Sequence, residues 1–140
     1  MMKKLQLLKK QEGFTLVELL AVIVILAIIA AIAVPSIGHL INKSKDNAKV
    51  AEAIQIISAA KTYVAAENGQ LNFNENNRAT IKEADLAPYI DNLDNKDWKV
   101  IVTKDADNKY TYKINNHPAA GIVKSGATTA TEDQLLDYSK

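Results

Sequence analysis

Cysteine is absent from this chain of 140 residues. Histidine and tryptophan are scarce: the chain has two histidines and one tryptophan. The lack of cysteine excludes disulfides, thiolate metal ligands and cysteine nucleophiles. Excess charge is also missing, since a formal net charge of +1 gives no overall positive field of the kind that attracts nucleic acid. No Ser-His-Asp order, paired catalytic carboxylates or metal-binding constellation stands out. We therefore expect neither an enzyme nor a protein with a bound cofactor.

Charged and apolar residues are unevenly distributed along the chain. Residues 1–13 contain four lysines and one glutamate, a net charge of +3, which leaves −2 for the remainder. Residues 14–37 then read FTLVELLAVIVILAIIAAIAVPSI. As a helix this segment is about 36 Å long, enough to cross a hydrocarbon core of about 30 Å. A basic segment before an apolar helix predicts a single span of the cytoplasmic membrane, with the N-terminus in the cytoplasm.

One carboxylate, Glu18, lies inside the apolar segment. A charged side chain at membrane depth costs about 3 kcal/mol on insertion scales, so it usually has a partner. A plain membrane anchor has no use for this residue. A secretory signal peptide, for which residues 31–33 (Ala-Ile-Ala) offer a cleavage site, has no use for it either. Glu18 therefore favours a third interpretation, in which it meets a positive charge.

The sequence from Lys9 to Glu18, KKQEGFTLVE, resembles the processing motif of type IV pilins and pseudopilins. The resemblance extends over about residues 9–45, because the long apolar helix belongs to the same pattern. It implies that a membrane-embedded prepilin peptidase cuts between Gly13 and Phe14 and that the new Phe14 amine is methylated. It also implies that Glu18 neutralises this amine during assembly.

The same resemblance implies an organisation in three parts and a set of partners. Residues 1–13 are a cleaved leader, residues 14–37 a transmembrane and later filament-core helix, and residues 38–140 an extracytoplasmic head. Pro35 and Gly38 are expected to kink or locally loosen the helix. The partners implied are other copies of the chain, the peptidase that also methylates, an assembly ATPase and a membrane platform protein. DNA is conceivable as a partner but nothing in the sequence indicates it.

The resulting hypothesis is a major or major-like pilin, anchored in the cytoplasmic membrane and then built into a cell-surface filament. Two alternatives remain open. One is a pseudopilin of a type II secretion or DNA-uptake apparatus. The other is an exported binding module that ordinary signal peptidase releases, with a mature start near Val34.

A helical pattern continues beyond the apolar segment. Apolar residues recur there at spacings of three and four and form one stripe: Val50, Ala53, Ile54, Ile57, Ala60 and Val64. The pattern predicts one helix from residue 14 to residue 67, roughly 80 Å long, with Asn68-Gly69 as its stop. A separate helix after a break near Pro35 is the alternative.

The remaining sequence predicts short elements around a small antiparallel sheet. These are a surface loop over residues 70–78, a helix from Thr80 to Pro88 or Tyr89, strands over 98–103 and 109–114 around a turn at 105–108, a third strand over 121–124 and a helix over 131–138. A sheet packed on the stripe of the long helix gives an α+β fold class. This arrangement also agrees with the head of a pilin. Since many pilins have a C-terminal disulfide that this chain lacks, the terminal helix is the expected closing element.

Several residues imitate functional sites. Asp91, Asp94 and Asp97 offer oxygen ligands, and some pseudopilins bind calcium in the head, but the spacing is not that of an EF-hand. Acidic residues before a strand are usually solvated, so we expect no metal here. Residues 121–128 have P-loop spacing but place an alanine where the phosphate-binding lysine belongs. His39, His117 and Trp98 have no motif around them: the histidines are expected at the surface and the tryptophan in the core.

Overall fold

The computed structural model describes residues 2–66, 70–91, 93 and 97–140, with side chains from residue 15 onward in these ranges. The chain separates into two compact units, Met1–Lys43 and Ser44–Lys140. The first unit consists of residues of helix α1 (Met2–Ala66), which also supplies the beginning of the second. The predicted stop at Asn68-Gly69 lies outside the described residues.

Helix α1 contains Pro35 in its interior and is also helical at Gly38. Proline has no N–H, so the carbonyl one turn earlier loses its usual donor. Close to this position, the Ser36 hydroxyl donates a hydrogen bond to the carbonyl of Ile32, with 3.1 Å between the two oxygens. The carbonyl left without its usual donor is that of Ala31, four residues before Pro35, so the Ser36 bond is to the carbonyl next to it. The structure therefore has helix where the alternative interpretation placed a break.

Four antiparallel strands form one sheet, and their order in the sheet follows their order in the chain. The strands are β1 (Arg78–Lys82), β2 (Lys99–Lys104), β3 (Tyr110–Asn115) and β4 (Thr129–Thr131). Buried and exposed residues alternate along β1, because successive side chains of a strand point to opposite faces. The register aligns one inward-facing row across all four strands: Ile81, Val100, Ile114 and Ala130. The predicted β2–β3 hairpin is confirmed, with each strand one residue later than expected.

The second half of α1 and the inner face of the sheet share one hydrophobic core. From α1 the core takes the predicted stripe and two further residues, Ile56 and Ala59, with Ile54 only partly buried at its edge. Trp98 is 1% exposed, so its predicted place in the core is confirmed. A long N-terminal helix followed by a small antiparallel sheet is the predicted α+β arrangement, which the structure confirms.

The first predicted capping box is wrong. Thr80 lies within β1 rather than at a helix start, and helix α2 (Glu83–Leu86) begins three residues later. The strand forms because Ala79 and Ile81 point into the core, whereas a helix would remove them from the inward row. At the actual helix start, a carboxylate oxygen of Asp85 accepts the backbone N–H of Lys82 at 3.0 Å.

The strand predicted over residues 121–124 is also wrong, because most of it belongs to helix α3 (Pro118–Val123). Ala119 and Ala120 of this helix are fully buried, and the proline at its first position needs no hydrogen-bond partner for its nitrogen. The strand that pairs with β3 comes later in the chain and is β4.

Helix α4 (Glu132–Tyr138) confirms the second predicted capping box. The Thr131 hydroxyl accepts the N–H of Gln134 at 3.2 Å, and the Gln134 side chain accepts the N–H of Thr131 at 3.0 Å. Leu135 is fully buried in the core, and Glu132 forms an ion pair with Lys61 of α1. The terminal helix thus packs on the head, and its role as the closing element stays a prediction.

His117 is buried, which contradicts the surface position expected for it. Its Nδ1 accepts the N–H of Ala119 at 3.1 Å, and its Nε2 lies 3.1 Å from a carboxylate oxygen of Glu52 on α1. Because a backbone N–H can only donate, the neutral ring carries its proton on Nε2 and donates it to Glu52. Burial lowers the pKa of His117 below 6.5, although the hydrogen bond to Glu52 acts in the opposite direction.

Candidate processing and assembly segment

The apolar part of α1 has no cover within its own chain. Its large side chains are between about half and 70% exposed, for example Leu16 at 67%, Ile32 at 70% and Val34 at 67%. Burying a side chain of this size contributes about 1.5–3 kcal/mol, so a whole segment left in water is strongly unfavourable. Within the described residues, α1 is the helix long and apolar enough to cross a membrane. The segment fits a membrane anchor.

Glu18 interrupts this apolar surface. Its side chain is exposed, and among the side chains described from residue 15 onward no cation lies within ion-pair distance of its carboxylate. Residues four apart lie on the same face of a helix, so Glu18 follows Phe14 by about one turn, or about 6 Å along the axis. A charge at Phe14 would therefore lie within reach of a glutamate side chain.

Gly13 and Phe14 lie within α1, and the Phe14 side chain is not among those described. Proteolytic clefts bind substrates in extended form, so cleavage at this position requires the helix to unwind locally. Glycine disfavours the helix by about 1 kcal/mol relative to alanine and has no Cβ, and both properties ease that step. The predicted cleavage between these two residues agrees with this chemistry and stays a prediction.

The other candidate residues are not brought together into a site. Asp91 and Asp97 are exposed, and Asp94 lies outside the described residues. Among the residues that the structure does describe, no group of three or more acidic, histidine or cysteine side chains could hold a metal ion. His39 is exposed, as expected. The buried contact between His117 and Glu52 was missed, although a proline directly after His117 is a signal for a helix start.

Comparison with known proteins finds a family match in the segment just described. Residues 8–34 match the family model of the prokaryotic N-terminal methylation motif. In this segment, the chain is similar to proteins of the type IV pilin family. Fimbrial protein Q of Moraxella bovis is 46% identical to it over 56 residues, which are 40% of this chain and 33% of that protein. The chain thus matches about a third of that relative's length. No solved structure matches the chain.

The matched motif contains the residues that the sequence analysis singled out in this segment. The methylation motif includes Gly13, Phe14 and Glu18, and it ends at Val34, just before Pro35. The head, residues 38–140, lies outside the matched motif.

Proposed function

We propose that this chain is a major-like pilin, a filament subunit whose N-terminal helix serves first as a membrane anchor and then as the filament core. The observation that carries the proposal is the coincidence of the methylation motif with an exposed apolar helix that contains a single carboxylate. An apolar surface of this kind can be covered either by lipid or by the same segment of other copies. Assembly then exchanges one apolar environment for another.

Processing is proposed to occur between Gly13 and Phe14, with methylation of the new amine. Cleavage removes the four leader lysines, which hold the N-terminus on the cytoplasmic side, and creates one cationic amine at the start of the helix. The methylated amine remains a cation. Glu18 now lies near the positive end of the helix dipole, where a carboxylate is stabilised by about 0.3–1 kcal/mol.

Glu18 is proposed to neutralise the Phe14 amine of a neighbouring copy in the filament. An ion pair buried among apolar side chains adds little net stability, because desolvation offsets the attraction. A subunit placed in the wrong axial position would leave both charges unpaired in an apolar core, which costs several kcal/mol. The pair therefore favours one register over its neighbours.

Mass spectrometry of the mature protein tests the processing step. Expressed with a prepilin peptidase, the chain should begin at Phe14 and carry one methyl group on its amine. The variant Gly13→Val should remain uncut. Gly38→Val is the matched control, because a Cβ at Gly38 meets nothing within 4 Å. A mature start near Val34 indicates ordinary signal peptidase, and an intact leader indicates a plain anchor; either result contradicts the proposal.

The assembly step is tested with Glu18→Gln, which removes the charge and keeps the size. We expect the variant to be processed and to remain in the membrane, but to yield few filaments in the fraction sheared from cells. Glu75→Gln, in an exposed turn, makes the same substitution away from the helix. Normal filament yield from Glu18→Gln would show that charge neutralisation is not required. Wild-type filaments that stay within the envelope indicate a pseudopilin instead.

A further inference from the structure

The last two turns of the first compact unit have a polar side and an apolar side. Residues 19–34 are apolar without exception, so the helix has no polar side there. Between residues 36 and 43, four polar residues fall within an arc of about 120° around the helix axis. We call them the polar arc: Ser36, His39, Asn42 and Lys43. The large apolar residues of the same two turns lie on the other side: Ile37, Leu40 and Ile41.

The polar arc is exposed and positively charged. All four of its side chains are exposed, and residues 19–45 contain no acidic residue. Among the described side chains, His39, Asn42 and Lys43 form neither an ion pair nor a hydrogen bond. Each of these three side chains can donate an N–H hydrogen bond. The arc therefore offers three free donors and one permanent positive charge to an anion.

The position of the arc along the helix corresponds to the headgroup layer of a membrane. As a helix, residues 14–34 are about 32 Å long, which matches a hydrocarbon core of about 30 Å. The arc begins directly after this length and extends over about 10 Å of the axis, whereas one headgroup layer is about 5–7 Å thick. With the span in the core, the arc thus starts at the level of the lipid phosphates.

Lys43, at the far end of the arc, can also reach this layer. The Cα–Cβ bonds of a helix are tilted toward its N-terminus, which for Lys43 is the direction of the membrane. A lysine side chain is long enough to keep its apolar stem along the helix and to place its ammonium group among the phosphates. On the other side of the same turns, Leu40 is 66% exposed and Ile41 48%, so apolar surface is available to the acyl chains.

An anionic lipid fits the arc better than a second copy of the chain does. Within residues 14–43 the one acidic residue is Glu18, so another copy of this unit offers almost no negative charge to the arc. Glu18 is also already assigned to the Phe14 amine in the proposed assembly. A phosphodiester headgroup, by contrast, supplies charged oxygens to all three donors.

We propose that the polar arc binds the headgroup of an anionic phospholipid in the outer leaflet while the chain waits in the membrane. This inference rests on the proposed function only in taking residues 14–34 as a membrane span. Lipid binding at the arc would hold the unassembled helix at a fixed depth, because Lys43 cannot move into the core without losing its phosphate. The bound lipid has to be released when the helix leaves the membrane.

The test is native mass spectrometry of the full-length chain in an uncharged detergent, titrated with phosphatidylglycerol or with phosphatidylcholine. The leader lysines are first replaced by glutamine, so that they do not bind the anionic lipid themselves: Lys3, Lys4, Lys9 and Lys10. In this background phosphatidylglycerol should bind about five-fold more tightly than phosphatidylcholine, the effect of one lysine near a membrane surface. Lys43→Gln should remove most of that preference.

Two further variants separate the arc from a general effect of charge. His39→Leu removes a donor of the arc but no lysine, and it should weaken phosphatidylglycerol binding at least about two-fold. Lys124→Gln is the matched control, because it removes an exposed lysine of the second unit and should leave the preference unchanged. Fluorescence of the buried Trp98 shows that the head of each variant is folded.

Three results would overturn the proposal. One is equal affinity for the two lipids, and another is equal binding by Lys43→Gln and Lys124→Gln. If Lys43→Gln binds lipid normally but lowers the yield of sheared filaments, the arc contacts a second copy instead. The third is displacement of phosphatidylglycerol by inorganic phosphate, which would make the arc a site for free anions. The purified chain needs neither processing nor assembly for this test, so such a failure leaves the proposed function intact, whereas a mature start near Val34 would refute the span itself.

Discussion

Acidification should destabilise the head through His117. The buried ring accepts an N–H at Nδ1 and donates from Nε2 to Glu52, so the folded head favours neutral histidine. Lys49, which is 3.6 Å from the second carboxylate oxygen of Glu52, further disfavours a positive ring. Since the pKa of His117 is lowered in the folded head, the unfolded chain binds a proton more readily. Stability is therefore constant above the unfolded pKa near 6.5 and falls as the pH drops below it.

The size of the effect follows from a single proton. Each pH unit below the unfolded pKa removes at most about 1.4 kcal/mol until the folded pKa is reached. For a domain of roughly 100 residues, 1 kcal/mol corresponds to a change in Tm of about 4–8 °C. Between pH of about 6.5 and 5.5, Tm should thus decrease by up to about 5–10 °C. This window lies above the ordinary pKa values of aspartate and glutamate, so few other groups titrate in it.

The assay is thermal unfolding of the full-length chain in detergent, followed by the fluorescence of Trp98, the one tryptophan in the sequence. His117→Asn keeps a side-chain oxygen able to cap α3 but loses the titratable ring and the bond to Glu52. It should cost about 1–3 kcal/mol at neutral pH and show almost no change in Tm across the window. His39→Asn replaces the exposed histidine and should behave as wild type. If the acid-induced decrease persists in His117→Asn, His117 is not its cause.

Three further predictions concern the packing and turns of the head. Leu135→Ala should destabilise it by about 2–5 kcal/mol, because Leu135 is fully buried, whereas Leu136→Ala next to it, 39% exposed, should cost far less in the same melting assay. Thr131→Ala should cost about 1 kcal/mol through the lost capping bond, and Thr131→Ser should retain most of it; equal losses would refute the capping role. Asn108 has a φ of 60°, so Asn108→Ala should cost about 1 kcal/mol in chemical denaturation while Asn108→Gly should be close to neutral.

Local signals account for the parts of the fold that the sequence predicts correctly. The β2–β3 hairpin has its turn residues between two β-rich segments, and the α4 cap has both members of its box three residues apart. The apolar stripe of α1 is likewise readable over a few turns. In each case the residues that determine the structure are close neighbours in sequence.

The errors concern residues whose position depends on distant partners. Residues 80–83 satisfy a capping pattern, but Ile81 completes a row with Val100 on β2, and that packing outweighs the local signal. His117 looks like a surface residue because its partner, Glu52, is 65 residues earlier. The short β4 has too few residues for any periodicity and is defined by its pairing with β3.

The processing segment shows a different limit. Gly13, Phe14 and Glu18 were identified from a short motif, and the structure of one chain adds that the apolar helix around Glu18 is uncovered. The partner of Glu18 lies outside the single chain, because in the proposed assembly it belongs to another molecule.

Among the residues that the structure describes, the meander order of the sheet leaves two open edges, one on β1 and one on β4. Open edges invite pairing with strands of other molecules, a hazard for proteins concentrated in a membrane. β4 offers only three residues before the chain turns into α4, and β1 carries a charge at each end in Arg78 and Lys82. Short and charged edges resist strand addition. The head is thereby suited to crowding beside identical copies without forming intermolecular β-aggregates.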